Sequence, residues 1–291
     1  MVRKAVAAKI ARAMHGLKKR LRMALDGLGF SEVTTPVRTK DGLRPCMELE
    51  LRTTLALGLE GVYEIGPCFR DERLDDTHLS EFQMLELFWD RPSFDTLVHL
   101  TRDLFEAAFQ CPIERFETLD LATCLQARYP GLEYGMTAEA LRSLATRHLD
   151  NAQLGACDRR YKIYNALIDK LIEERKPGTL KRPAIVVNYP VETVCLAKPQ
   201  DGCPERIQRA EFFVNGLELA HGFVDDMDVE RVRRRMYENG DEFVDEDFLA
   251  LLASGKLPPS SGVGFGLDRL LMVQQGLADV RECTWKGMCA A

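Results

Sequence analysis

Apolar residues recur at three- and four-residue steps near the start of the chain. Ile10, Met14, Leu17, Leu21, Leu25 and Leu28 form one stripe on a helix of about five turns. Gly27 and Gly29 end that helix, and GFSEVTTPV continues as an extended segment stopped by Pro36. Such a stripe serves a core or, equally, a dimer face. Segments 61–66 (GVYEIG) and 82–89 (FQMLELFW) read as strands joined by the polar stretch 70–81. A helical period follows over 94–109, with Phe94, Leu97, Val98, Leu100, Leu104 and Phe105 on or near one face. The middle stretch, about 110–180, holds helical patterns at 137–148 and 161–175 and no assignable function. AIVVNYPV (184–191) has the pattern of a buried strand, and FFVNGLELAHGF (212–223) that of a strand pair or strand-turn. Residues 229–239 and 245–254 look helical, and SSGVGFG leads into the helix LDRLLMVQQ. Strands and helices come in blocks without βαβ alternation, and no G-x-x-x-x-G-K-[ST] occurs. The expectation is an α+β fold around a largely antiparallel sheet, distinct from P-loop folds.

Composition narrows the function classes. The 291 residues are 46% hydrophobic and 29% charged, an ordinary globular balance. No run of 18 uncharged apolar residues exists to span a membrane, and the first twenty residues lack the continuous apolar segment of a secretory signal. A net charge of −6 and a pI near 5.6 argue against wholesale binding of a phosphate backbone. Two basic clusters, Lys18–Lys19–Arg20–Arg22 and Arg231–Arg233–Arg234–Arg235, read as solvated helix faces. Nine cysteines without a C-x-x-C pair suggest reduced thiols in a cytoplasmic protein and no zinc site. Cys195 and Cys203, with seven residues between them, have no histidine nearby.

Three stretches carry candidate chemistry. In CFRDERLDDTHLSEFQMLE, Arg70 and Glu72 sit two apart, so on an extended chain they share a face. The arginine fork can clamp a phosphate and the carboxylate can accept from an adenine amino group; a cross-strand salt bridge is the plainer alternative. In GVGFGLDRLLM, glycines at 262, 264 and 266 clear one face of a strand for another backbone or a flat ligand, though tight packing alone explains most such runs. Arg269 then falls in the first turn of a helix, where free N–H groups favour anions. AEFFVNGLELAHGFVDD spaces Glu211, Glu218 and Asp225 at intervals of seven in an otherwise apolar segment. Carboxylates in such a setting usually have partners: magnesium, a ligand ammonium or an internal arginine.

Together these stretches resemble a known family. F-R-x-E followed by H-x-x-E-F-x-M-L-E looks like motif 2 (about 61–89) of class II aminoacyl-tRNA synthetases. G-x-G-x-G-x-D-R-L looks like motif 3 (about 260–275), and GFSEVTTP with the preceding helix like motif 1 (about 10–36). ELELRTTLALGLEGVYEIG, NYPVE with LAK, and GLELAHGF point to the lysyl branch of subclass IIb. The similarity runs from about residue 10 to 280, so one catalytic domain over 1–291 is expected. The resemblance implies an antiparallel sheet of six or seven strands flanked by helices, dimeric through motif 1, with ATP and Mg²⁺ as cofactors. It implies that Arg70 holds the α-phosphate and substrate carboxylate, Glu72 the adenine amino group and His78 the outer phosphates. Phe82 would stack on the base, and Arg269 would lie on the far side of the triphosphate. Glu211 and Glu218 would bind magnesium, and Glu48 and Glu86 the substrate α-ammonium. Gly266 falls with the ATP residues and Gly264 with the substrate residues. The α-carboxylate of a substrate, which ordinarily titrates at about 3.5, is already ionised at neutral pH and needs positioning and charge neutralisation rather than a general base.

The departures from the family bear on substrate and acceptor. A full lysyl-tRNA synthetase carries an anticodon-binding barrel before motif 1, and here about 28 residues precede GFSEVTTP. That leaves no room for the barrel and is similar to the ligases that attach a lysine-type amino acid to elongation factor P. Where the family has Arg-His-Asn-Pro, this chain has Thr77-His78-Leu79-Ser80, preceded by Asp75-Asp76. Arg73 is a candidate for the lost phosphate arginine. The two aspartates would repel a tRNA acceptor end by roughly 1 kcal/mol per close charge pair in water. A protein acceptor, a lysine or a carrier-protein thiol, is therefore expected in preference to tRNA, with tRNA aminoacylation by a truncated synthetase and a non-catalytic paralogue that binds amino acid as the alternatives. Phe88 and Asp225 stand where lysyl enzymes place a tyrosine and a glutamate around the ε-ammonium, and His221 replaces an asparagine near the substrate carboxylate. The expected substrate is an amine-bearing amino acid that is not simply L-lysine. Gly264 is glycine, as in the synthetases, whereas the elongation-factor ligases tend to have alanine there.

Overall fold

The computed structural model of the chain describes residues 2–39, 42–71, 74–110, 116–155, 158–175, 180, 182–194, 196–240, 244–285 and 287. Contacts divide it into two compact units. The first comprises Met1–Glu114, Leu219–His221 and Ser260–Ala291; the second comprises Arg115–Glu218 and Gly222–Pro259.

The first unit opens with helix α1 (Val2–Gly27). Ile10, Leu17, Leu21 and Leu25 of the expected stripe are buried, while Leu28 lies 55% exposed. The helix has ended by then: Gly29 takes φ +84° and Phe30 N–H returns to the Leu25 carbonyl at 3.0 Å. β1 keeps only Ser31–Glu32 of the expected extended segment, paired parallel to Val62 and Tyr63. A short hairpin, β2 (Arg38–Thr39) with β3 (Gly42–Leu43), precedes helix α2 (Glu48–Leu55). β4 (Gly61–Phe69) and β5 (Glu81–Trp89) form an antiparallel ladder from Gly61 opposite Trp89 to Phe69 opposite Glu81. Helix α3 spans Phe94–Phe109, the expected bounds. Ser93 Oγ accepts from Thr96 N–H at its start, and Gln110 in the left-handed region ends it. Arg20 of α1 donates to the carbonyls of Ala107 (3.1 Å) and Ala108 (2.7 Å), groups that the end of α3 leaves without helical partners.

The second unit contains β6 (Glu117–Asp120), α4 (Leu121–Arg128), α5 (Ala138–Ala145), α6 (Asn151–Leu154) and α7 (Arg160–Arg175). It continues with β7 (Ala184–Pro190), β8 (Pro199–Gln200), β9 (Cys203–Val214), β10 (Leu217–Val224, apart from its Leu219–His221), α8 (Val229–Asn239) and α9 (Glu246–Ala253). Asp120, Thr137, Asp228 and Asp245 each accept a first-turn N–H, so four of its helices start on side-chain caps. β6 runs parallel to β7, while β7 and β8 pair antiparallel with β9. The 110–180 stretch supplies much of this unit's core, including Tyr129, Ile163, Tyr164 and Leu167.

The chain returns to the first unit with β11 (Ser261–Gly266), antiparallel to β5 from Ser261 opposite Trp89 to Gly266 opposite Met84. Helix α10 (Leu267–Gln275) follows at once and stops at Gly276, φ +63°. The fold is the expected α+β class, a mostly antiparallel sheet flanked by helices. Among the described residues, no helix is long and apolar enough to cross a membrane.

Candidate active site

Strand alternation places Phe82, Met84, Glu86 and Phe88 of β5 on one face. The register sets Glu86 between Glu64 of β4 and Gly264 of β11, and Phe88 between Val62 and Gly262. Arg70 follows β4 and carries its guanidinium over the Phe82 ring, 5.1 Å from the centroid. Its Nε donates to the Pro45 carbonyl at 3.2 Å, and its backbone N–H to Ser80. Glu86 is 5% exposed and accepts the Met47 N–H at 2.6 Å. Burial pushes its carboxyl up to about 7, against the opposing pull of that N–H, His221 and Arg70. Glu48 begins α2, with its carboxylate 3.6 Å from the buried Arg52 guanidinium.

The connection between β4 and β5 is organised by Asp75. Its Oδ1 accepts from Thr77 N–H (2.7 Å) and Thr77 Oγ1 (2.9 Å), and lies 2.9 Å from His78 Nδ1. These contacts, the Thr77 N–H foremost, hold the Asp75 carboxyl below the usual carboxylate range. Arg269, in the first turn of α10, donates from Nε to the Thr77 carbonyl at 2.9 Å. Arg70 and Arg269 are thereby both tied to this one connection. Glu72 and Arg73 lie outside the described residues, as does Cys195.

The three alternate glycines divide into two kinds. A methyl group at Gly262 would run into the Phe88 ring, and one at Gly264 into the end of Met84. Those two glycines make room for side chains of β5, which is the packing alternative. At Gly266 an added methyl would meet only ordinary contacts with Arg269. Of the three glycines, only Gly266, beside Arg269, would take a methyl at ordinary contact distance.

In the second unit, Glu211 on β9 has an internal arginine. Its Oε1 accepts from Arg209 Nη2 at 2.6 Å, and that guanidinium lies 4.7 Å from the Tyr189 ring centroid. Burial above all drives the Tyr189 phenol up, with Glu211 and Glu218 both adding to the effect. The two carboxylates therefore act on one shared phenol–guanidinium pair. Among the described residues, no three His, Cys, Asp or Glu side chains form a metal cage. Two carboxylates still fit magnesium, a hard ion that commonly takes one or two of them and fills its remaining positions with phosphate oxygens and water. Asp225 is 1% exposed at the end of β10, bridged to Ala197.

The sequence reading passed over several of these groups. The Met47 amide is invisible to any residue-type pattern, since every residue but proline has one. Arg209 sits two positions before Glu211, a spacing that could have flagged the pair. Asp268 lay within the quoted motif without a role. It is 5% exposed, accepts the Gln83 N–H at 2.6 Å, and is pushed up to about 6 by burial despite nearby Lys18.

The family model described as tRNA synthetases class II (D, K and N) matches residues 41–285. The chain belongs to that family. This class II synthetase chain is similar to the lysine–tRNA ligase of Saccharolobus solfataricus, at 29% identity over 82% of the chain and 52% of that relative. It is 32% identical to the lysine–tRNA ligase of Kineococcus radiotolerans over 93% of the chain and 62% of the relative. Against the enzyme of Pelotomaculum thermopropionicum the figures are 33%, 89% and 59%. The class II synthetase chain thus spans about half to three-fifths of the length of these curated relatives.

Proposed function

We propose that the chain is an ATP-dependent ligase that activates an amine-bearing amino acid as its adenylate and passes it to a protein acceptor. The observation that carries this reading is the grouping in the first unit. Arg70 stacks on Phe82, Arg269 is anchored to the same connection, and a buried Glu86 waits beside Arg70 and His221. In the reaction, Phe82 and Arg70 receive the adenosine and α-phosphate, while Arg269 and His78 meet the outer phosphates. Gly266 leaves clearance beside Arg269. Glu86, with Glu48, takes the substrate ammonium. Glu72 is assigned to the adenine amino group. The substrate carboxylate attacks the α-phosphorus, the bond to pyrophosphate breaks, and Arg70 offsets the charge on the phosphoryl oxygens. No group of the chain needs to remove a proton in this step. Glu211 and Glu218 would hold magnesium, which supplies charge neutralisation to the triphosphate when bound.

Phe88 carries no hydroxyl and Asp225 is one methylene shorter than glutamate, which supports a substrate other than simple L-lysine. Asp75 and Asp76 on the connection support a protein lysine, such as that of elongation factor P, or a carrier protein as acceptor. Association of two copies through residues 10–36 is part of the same reading, supported by the exposed apolar Met23 and Leu28. ATP–pyrophosphate exchange across a panel of amino acids tests the activation step. Exchange is expected and is abolished by Arg70→Ala or Arg269→Ala; L-lysine as clearly the best substrate refutes the substrate assignment. Incubation with labelled amino acid, ATP and lysate, followed by RNase, tests the acceptor. Label surviving on protein supports it, and label lost with RNA favours tRNA aminoacylation, the activity in the relatives' names.

A further inference from the structure

Arg44 lies 1% exposed between the end of the extended segment that follows α1 and β4. Its guanidinium makes four contacts: Nε with the Pro67 carbonyl (3.0 Å), Nη1 with the Thr35 carbonyl (3.1 Å) and Oγ1 (2.7 Å), and Nη2 with Glu64 Oε1 (2.7 Å). The other oxygen of Glu64 accepts both the N–H (2.8 Å) and hydroxyl (2.7 Å) of Thr35. The Arg44 backbone is fixed too, its N–H to the Val37 carbonyl and its carbonyl to the Phe69 N–H. Gly66 is required here, because a methyl group would strike the Arg44 guanidinium and the Glu64 carboxylate. The fork geometry satisfies three separate backbone or carboxylate partners at once, which a lysine ammonium could not reproduce.

What this buried knot fixes is the strap that follows it. One residue on, the Pro45 carbonyl receives Arg70 Nε; three residues on, the Met47 N–H donates to Glu86. We propose that Arg44 is a positioning residue: by locking residues 44–47 onto β4 it sets the places of both Arg70 and Glu86. The inference rests on the function proposed above for what those two groups bind, but the strap geometry itself does not. Glu86 provides a readout of the strap, since the Met47 N–H favours its ionised form. The other groups facing Glu86 are Arg70, His221, Glu50 and, across β4, Glu64, with the thiols of Cys46 and Cys68 nearby.

The test is Arg44→Lys, which keeps the charge and loses the fork, with Thr35→Val as a milder cut of the same knot. The Glu86 carboxyl is titrated by isotope-edited infrared spectroscopy, assigned with Glu86→Gln, alongside ATP–pyrophosphate exchange. The expected result is a folded Arg44→Lys protein whose Glu86 titrates higher than in the wild type. Its amino-acid kcat/KM in exchange falls, by about 100-fold if the strap moves on the ångström scale. If Arg44→Lys does not fold, Thr35→Val is judged by the same two readouts. A folded variant with unchanged Glu86 titration overturns the proposal, whatever its stability. Wild-type protein without exchange for any amino acid overturns the functional reading instead, while the Glu86 titration still decides the role of Arg44.

Discussion

Replacing each of the three strand glycines by alanine separates packing from ligand clearance. None of Gly262, Gly264 and Gly266 has a positive φ, so alanine is backbone-compatible at all three, and the lost chain freedom of glycine favours it by about 0.5–1 kcal/mol. At Gly262 the new methyl meets three atoms of the Phe88 ring, which is 2% exposed and held in register directly opposite. Overpacking of that kind costs about 1–3 kcal/mol, so Gly262→Ala is destabilising on balance. At Gly264 the obstacle is the terminal methyl of Met84, a flexible side chain that can swing aside, and the two effects come close to cancelling. At Gly266 nothing lies closer than ordinary contact, so Gly266→Ala gains about 0.5 kcal/mol or stays neutral. Thermal unfolding reads the series, each kcal/mol moving the midpoint by about 2–4 °C in a chain of this class. Nucleotide binding by calorimetry reads the other half: Gly266→Ala weakens ATP although the protein is no less stable. Equal destabilisation at 262 and 266, or unaltered ATP binding by a stable Gly266→Ala, would show that the reasoning about this face is wrong.

Two more outcomes follow from charged groups of the first unit. Because burial raises Glu86 to about 7, the folded state binds more protons than the unfolded one between the ordinary glutamate value and that point. Stability from this group is full at low pH and declines as pH rises towards 7, by up to about 3 kcal/mol; Glu86→Gln should flatten the urea-unfolding profile over that window, and an unchanged slope would contradict the assignment. Asp75→Asn removes a negative charge next to His78, and ATP should bind about fivefold more tightly, roughly 1 kcal/mol, with the gain shrinking at high salt. Weaker ATP binding by a folded Asp75→Asn protein would instead make Asp75 a support for the loop.

Secondary structure was legible wherever period and punctuation agreed. Helix α3 has its apolar face at helical spacing, a serine cap and a polar break at Gln110, and both ends came out as read. β-type residues and a proline mark extended backbone after α1 but not its pairing partner, and of that segment Ser31 and Glu32 form a strand with β4, to which the Val33 N–H also donates. Leu28 keeps the α1 period but lies past the helix end and is exposed, because periodicity carries no information about where the chain turns. The candidate site was legible where its chemistry resides in side-chain type, as for Arg70, Glu86 and Arg269. It was hidden where a partner comes from a distant segment or from the backbone, as with Met47 for Glu86, or Thr77 for Arg269, across 192 positions. The glycine run shows the ambiguity most directly. Identical letters at 262 and 266 make room for a phenylalanine in one case and would admit a methyl at ordinary contact distance in the other, and only their neighbours in the fold tell them apart.

The electrostatics of Glu86 bear on the order of binding. Burial holds the Glu86 carboxyl up at about 7, with the Met47 N–H, His221 and Arg70 favouring its anion. On the function proposed above, a substrate ammonium beside Glu86 would draw this carboxyl to its charged form. On the side proposed for phosphate, Arg70 and Arg269 each donate to a backbone carbonyl, from Pro45 and Thr77. Carbonyls are weak, neutral partners that a phosphate displaces readily, whereas a carboxylate would compete with it. Asp75 is different: its carboxyl lies against His78 and is held below the usual carboxylate range, so on the same proposal it would set charge against the triphosphate.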